Sequence, residues 1–75
     1  MMIELSEIRR EAGVTQAEMA ARLSITQGGV SQLERRSDVL LSTLSDYLNA
    51  LGAQGRITVT IGGRRFEHAL TEEDR

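Results

Sequence analysis

The chain has 75 residues, nine arginines and no lysine against 11 acids, and a formal net charge of −2. A domain this small hides only about 60% of the surface that its unfolded form exposes, and without cysteine it has neither a disulfide framework nor a thiolate metal site to compensate. No apolar run approaches the ~20 residues needed to cross a bilayer, and Glu4 and Glu7 precede any base in MMIELSEIRR, unlike a signal peptide, so a cytoplasmic chain that gains core by self-association is expected.

Four helical segments and one hairpin are predicted. From Ile3 to Ala12, Leu5, Ile8 and Ala12 recur at helical spacing around Arg9 and Arg10, and Gly13 stops the turn. Thr15-Gln-Ala-Glu18 fits a capping box that opens a second helix with Met19, Ala20 and Leu23 on one side. Ser24 and Ile25 form a short turn. Thr26 caps a third helix, which runs to about Arg35 with Val30 and Leu33 inward and is broken by Ser37 and Asp38. Ser42 is expected to cap a fourth helix through Leu51, with Leu44, Leu48 and Leu51 facing in and Tyr47 beside them, and Gly52 follows as its left-handed end.

The period then changes to two. Ile57, Val59 and Ile61 alternate with Thr58 and Thr60, Gly62-Gly63 supplies a two-residue turn, and Arg64 to Leu70 returns. With that loop Ile61 pairs with Arg64, Val59 with Phe66 and Ile57 with His68. Ile57, Val59, Ile61 and Phe66 then share one face, with threonines and charges on the other. Residues 71–75 read as a flexible acidic tail, after a helical domain over 1–54 and the hairpin over 55–70.

Charge is distributed unevenly. Residues 1–36 balance five charges of each sign, 37–55 add −2, 56–68 add +2 and 69–75 add −2. An acidic total argues weakly against nucleic acid, but a phosphate is bound by a local cluster, and Arg35-Arg36 is one.

Met19, Leu23, Ile25, Val30 and Leu33 are spaced so that the second and third helices pack on one another, with small Ala20 where their backbones approach. This is the pattern of a helix-turn-helix, whose second helix lies in the DNA major groove while the first crosses the backbone. Over residues 3–52 the segments LSEIRREAGVTQAEMAARL, QGGVSQLERR and STLSDYLNALG resemble the Xre/lambda-repressor-like helix-turn-helix family. The resemblance implies a lambda-repressor-like bundle of four to five helices, and with the hairpin read from the alternation the expected fold is mainly α, a helical bundle followed by a C-terminal β-hairpin. The resemblance also implies that Gln16 clamps a phosphate, that Gln27 and Gln32 face base edges, that Ser31 and Arg36 contact backbone phosphate, and that Arg9 and Glu34 form an ion pair. A glutamine amide suits this role, since its adjacent donor and acceptor match adenine N6 and N7. Helix N-termini favour phosphate through their free amides. The candidate DNA-contacting set is therefore Thr15, Gln16, Thr26, Gln27, Gly28, Ser31, Gln32, Arg35 and Arg36. A solvated surface residue is the plain alternative for each glutamine, and an exposed, weak pair the alternative for Arg9 and Glu34.

The chain departs from the family pattern in two places. Ser24 stands where the turn usually has glycine. Gly28 and Gly29 occupy the first turn of the third helix, either to let it seat deeper on DNA or as a soft helix start.

A hairpin alone is marginal in water and leaves its edges open, so Ile57, Val59, Ile61 and Phe66 are expected to dimerise the chain, side by side or by exchange, with packing on the fourth helix as the alternative. The segment ALGAQGRITVTIGGRRFEHAL resembles the C-terminal strands of HigA- and HipB-type antitoxins, which implies a dimeric repressor of its own operon acting on a palindromic operator. Enzymatic activity is disfavoured. His68 is the only histidine, on the hairpin opposite Ile57, and no nucleophile elbow, phosphate loop or metal cluster is present. No catalytic residue, metal or cofactor is expected. Two readings stay open: a repressor that also neutralises a toxin encoded beside it, and a stand-alone Xre-family regulator without a toxin. The outward face of helix one (Glu4, Glu7, Arg10 and Glu11) or the polar face of the hairpin would have to receive a toxin.

Overall fold

Helices α1 (Leu5–Glu11), α2 (Gln16–Leu23), α3 (Gln27–Arg35) and α4 (Leu41–Leu51) precede strands β1 (Arg56–Ile61) and β2 (Arg64–Ala69) in a computed structural model that describes residues 4–72. Ile3, expected to open the first helix, and residues 73–75 of the expected tail lie outside the described residues.

Side-chain caps set two of the helix starts. The Thr15 hydroxyl accepts from the Glu18 amide at 3.0 Å while the Glu18 carboxylate accepts from the Thr15 amide at 2.8 Å, a complete capping box. The Thr26 hydroxyl accepts from the Gly29 amide at 3.0 Å and opens α3. Between these helices Ser24 adopts φ 59° and ψ 42°, the left-handed conformation that glycine would take more cheaply. Its Cβ costs roughly 1 kcal/mol or more there, and the turn keeps its shape: the Ile25 amide still reaches the Ala20 carbonyl at 3.0 Å.

Leu5 of α1, Val14, Met19 and Ala20 of α2, Val30 of α3 and Leu44, Tyr47 and Leu48 of α4 make one core, with Ile8, Leu23, Leu33 and Leu51 half-buried around it. Two details differ from expectation. Ile25, expected between α2 and α3, is 43% exposed. Its Cδ1 lies 3.4 Å from where a Gly29 Cβ would stand, so it covers the first turn of α3 instead. Ser42 does not cap α4. The helix starts two residues earlier behind Leu40, which offers no side-chain cap, and Leu40 and Leu41 are left exposed while Leu44, Tyr47 and Leu48 turn inward. Burying that apolar face decides the start of the helix more strongly than a serine hydroxyl does.

The strands pair antiparallel in the register that the alternation predicts, Ile57 opposite His68, Val59 opposite Phe66 and Ile61 opposite Arg64. Gly62 and Gly63 both take positive φ, 55° and 78°, the twist that a two-residue hairpin turn demands. The base of the hairpin is tied to α4. The Leu70 amide donates to the Gly55 carbonyl at 2.9 Å, the Gly55 amide to the Thr71 hydroxyl at 3.2 Å, the Ser45 hydroxyl to the Leu70 carbonyl, and the Glu72 amide to Asn49 Oδ1 at 3.2 Å. At residue 71, where a flexible tail is expected, Thr71 is buried by these contacts. Beyond this anchor the hairpin's apolar face is open: Val59, Ile61 and Phe66 are 51%, 67% and 49% exposed, and of the four apolar residues only Ile57 is half-buried.

Candidate nucleic-acid interface

On α3, Val30 and Leu33 fix which side faces the core. At 3.6 residues per turn, Gln27, Gly28, Ser31, Gln32 and Arg35 fall within one arc of about 140° on the opposite side. All are exposed except Ser31, which is half-buried. Arg36, the residue that ends the helix, is exposed next to them.

Behind this face a polar network locks α3 to α1 and α4. Arg9 Nε donates to Glu34 Oε2 at 2.6 Å, Nη2 lies 3.3 Å from Oε1, and Nη1 donates to the Val14 carbonyl at 2.9 Å. The paired side chains are only 8% and 4% exposed, so the ion pair is buried. The Tyr47 hydroxyl donates to Glu34 Oε2 at 2.6 Å and lies 3.3 Å from the Leu5 carbonyl. Gln16 Nε2 donates to Glu34 Oε1 at 3.1 Å. Among the described residues every buried side-chain nitrogen and oxygen finds a partner.

Burial alone would raise the Glu34 carboxyl, but hydrogen bonds from Arg9, Tyr47 and Gln16 outweigh it and hold the group below the usual carboxylate range. The hydrogen bond to Glu34 raises Arg9 further against the effect of burial, and burial together with Glu34 pushes the Tyr47 phenol well up. At neutral pH the cluster therefore holds one cation, one anion and one neutral phenol. Sequence reasoning placed Tyr47 beside the inward leucines but missed its bond to Glu34. The spacing Leu44, Tyr47, Leu48 carries the burial; nothing local carries a partner 13 residues away.

A polar groove of about 620 Å³ runs over this network between α1 and α3. Gln16, Ser31, Arg35 and Arg36 line it, together with Ser6 and Arg10, which the sequence had not singled out for this face. Arg9 and Glu34 neutralise one another, so Arg10, Arg35 and Arg36 against Glu4 leave the lining net positive. Gln16 is oriented by Glu34 but keeps a second amide hydrogen. The hydroxyls of Thr15 and Thr26 already accept as caps. The four charged residues expected on one outward face of α1 divide between two grooves: Glu4 and Arg10 line the polar one, Glu7 and Glu11 a separate apolar one. Among the described residues no three histidine, cysteine, aspartate or glutamate side chains stand close enough to hold a metal, and no helix is long and apolar enough to cross a membrane.

A family model described as helix-turn-helix matches residues 5–55. A Mycobacterium tuberculosis protein provisionally named antitoxin HigA2 is 36% identical over 64 residues, 83% of this chain and 63% of its own length, so the chain spans less than two thirds of that curated relative. Two solved structures are similar throughout. One, described as "Induced DNA bending by unique dimerization of HigA antitoxin", has TM-score 0.77 and 37% identity, covering 91% of this chain and 93% of that one. The other, "DNA bound antitoxin HigA3", has TM-score 0.80 and 35% identity and covers 99% of each chain.

Proposed function

The chain belongs to the helix-turn-helix family, and from that premise we propose that it is a sequence-specific DNA-binding repressor that grips a palindromic operator as a homodimer, and the antitoxin of a toxin–antitoxin pair that regulates its own operon. It acts by binding rather than catalysis. The observation that carries the DNA reading is the α3 face: Gln27, Gly28, Ser31, Gln32 and Arg35 point one way, and the positive polar groove adjoins them. In this reading α3 enters the major groove, Gln27 and Gln32 meet base edges, and Gln16, Ser31, Arg35 and Arg36 hold phosphates on either side. Thr15 and Thr26 present helix N-termini to the backbone, their hydroxyls serving as caps. Gly28 leaves open space above the first turn of α3, where an added Cβ would meet only the Thr26 hydroxyl oxygen at 3.9 Å. The apolar hairpin face of Ile57, Val59, Ile61 and Phe66 makes the dimer. The domain boundaries follow the same division, a DNA-binding unit over 1–54 and a dimerising hairpin over 55–70.

The antitoxin part is supported by the likeness to HigA proteins. It is tested by co-expression with the neighbouring open reading frame: relief of that product's toxicity, with a stable complex, is expected. A stand-alone regulator without a toxin is the second reading, and a harmless, non-binding neighbour would favour it.

Base readout has its own signature. Gln27→Ala or Gln32→Ala should cost about 1–3 kcal/mol of specific binding and leave non-specific binding nearly unchanged, as measured by competitive gel shift against random duplex. Arg36→Ala should weaken both equally and reduce the slope of log K against log salt by about 0.9. A uniform loss at Gln27 and Gln32 would reassign them to the backbone.

A further inference from the structure

The hairpin's apolar face carries one cation. By the register of the strands Arg64 shares that face with Ile57, Val59, Ile61 and Phe66, and its guanidinium sits 5.0 Å from the centre of the Phe66 ring. It makes no ion pair among the described residues. Arg65 and Arg56, on the other face, are both bridged to Glu67.

Elsewhere on the molecule lies the complement. The apolar groove, about 440 Å³ in volume, opens between the outer side of α1 and the end of α4. Ile8, Ala12, Leu51 and Ala53 form its walls, and Glu7 and Glu11 stand one helical turn apart at its rim. Neither acid makes an ion pair among the described residues. No residue of the same chain's hairpin lines this groove, and it shares no residue with the polar groove proposed to face DNA.

Resting on the reading of the chain as a homodimer, we propose that the hairpin face of one protomer seats on the α1–α4 groove of its partner, with Arg64 between Glu7 and Glu11, and that the reverse contact forms at the same time. A twofold axis makes the two contacts identical. Reciprocity doubles the buried area, covers two exposed apolar surfaces with each other, and gives the unpaired cation two unpaired acids. Charge complementarity favours a second copy over a neutral occupant and fixes the register of docking. The DNA-facing grooves stay open in the dimer.

The test is charge exchange, read by sedimentation equilibrium. Paired Glu7→Arg and Glu11→Arg should weaken the dimer at least about tenfold, Arg64→Glu should do the same, and the triple variant should recover most of the lost affinity. All three positions are exposed, so far-UV circular dichroism should match wild type in each. The proposal is overturned if the Glu7/Glu11 variant dimerises as tightly as wild type. The hairpins then pair edge to edge, or the groove serves another protein, which the same variant would reveal by losing the neighbouring gene's product while remaining dimeric. A wild-type chain that is monomeric at every concentration would instead remove the dimer reading itself.

Discussion

Val59→Asp is expected to convert a dimer into a folded monomer and to abolish tight operator binding in the same step. Val59 stands at the middle of β1 opposite Phe66 and is half exposed in the single chain. The monomer's own core makes no use of it, so helical content should stay unchanged. In the dimer the new carboxylate would be buried among apolar side chains, the one cation of that face, Arg64, being seated between Glu7 and Glu11 of the partner subunit, a penalty of about 3 kcal/mol or more, enough to weaken association at least about a hundredfold. Operator affinity follows because two recognition helices joined by a twofold bind half-sites roughly one DNA turn, ~34 Å, apart, and a lone domain has one half-site. Light scattering and gel shift on the same samples check the coupling. A variant that stays dimeric would place the interface elsewhere.

Glu34→Ala should produce the largest loss of fold stability. It removes the acceptor of Arg9, Tyr47 and Gln16 together and leaves a guanidinium buried without its anion. Breaking such a pair from one side costs about 3–5 kcal/mol, a large share of what a small domain has. Urea unfolding measures it directly. The same carboxylate gives stability a pH dependence of known sign. Its folded pKa lies below the ordinary glutamate value of about 4.3, so its contribution is complete above that value and is lost as pH falls through the lower folded pKa. Glu34→Gln should flatten the stability curve in that acid window. An unchanged acid limb would mean that the cluster does not carry the charge described here.

What the sequence made legible was local. The capping box at Thr15 and Glu18, the cap at Thr26 and the hairpin register from alternation and Gly62-Gly63 each depend on residues a few positions apart. The start of α4 was obscured because Ser42 is chemically a good cap, whereas tertiary burial of Leu44, Tyr47 and Leu48 chose Leu40. The pairing of Arg9 with Glu34 spans 25 residues, and both the pair and its partial burial were readable only through family resemblance; that the pair is shared with Tyr47 and Gln16 required the fold. Of the candidate site, the exposed side of α3 followed from periodicity alone, since Val30 and Leu33 fix the opposite side. The polar groove, with Arg10 brought to it from α1, did not, because it is made by two helices whose relative placement no local pattern encodes.

Titration of isotope-labelled protein with a duplex selected by the protein itself, followed by amide chemical shifts, puts the decisive question to α3. Perturbations should concentrate on the side-chain amides of Gln16, Gln27 and Gln32 and on the backbone from Thr26 to Arg36, with two protomers per duplex. Shifts confined to the hairpin or to Glu7 and Glu11, with Gln27 and Gln32 unmoved at saturation, would contradict the assignment of this helix to the major groove.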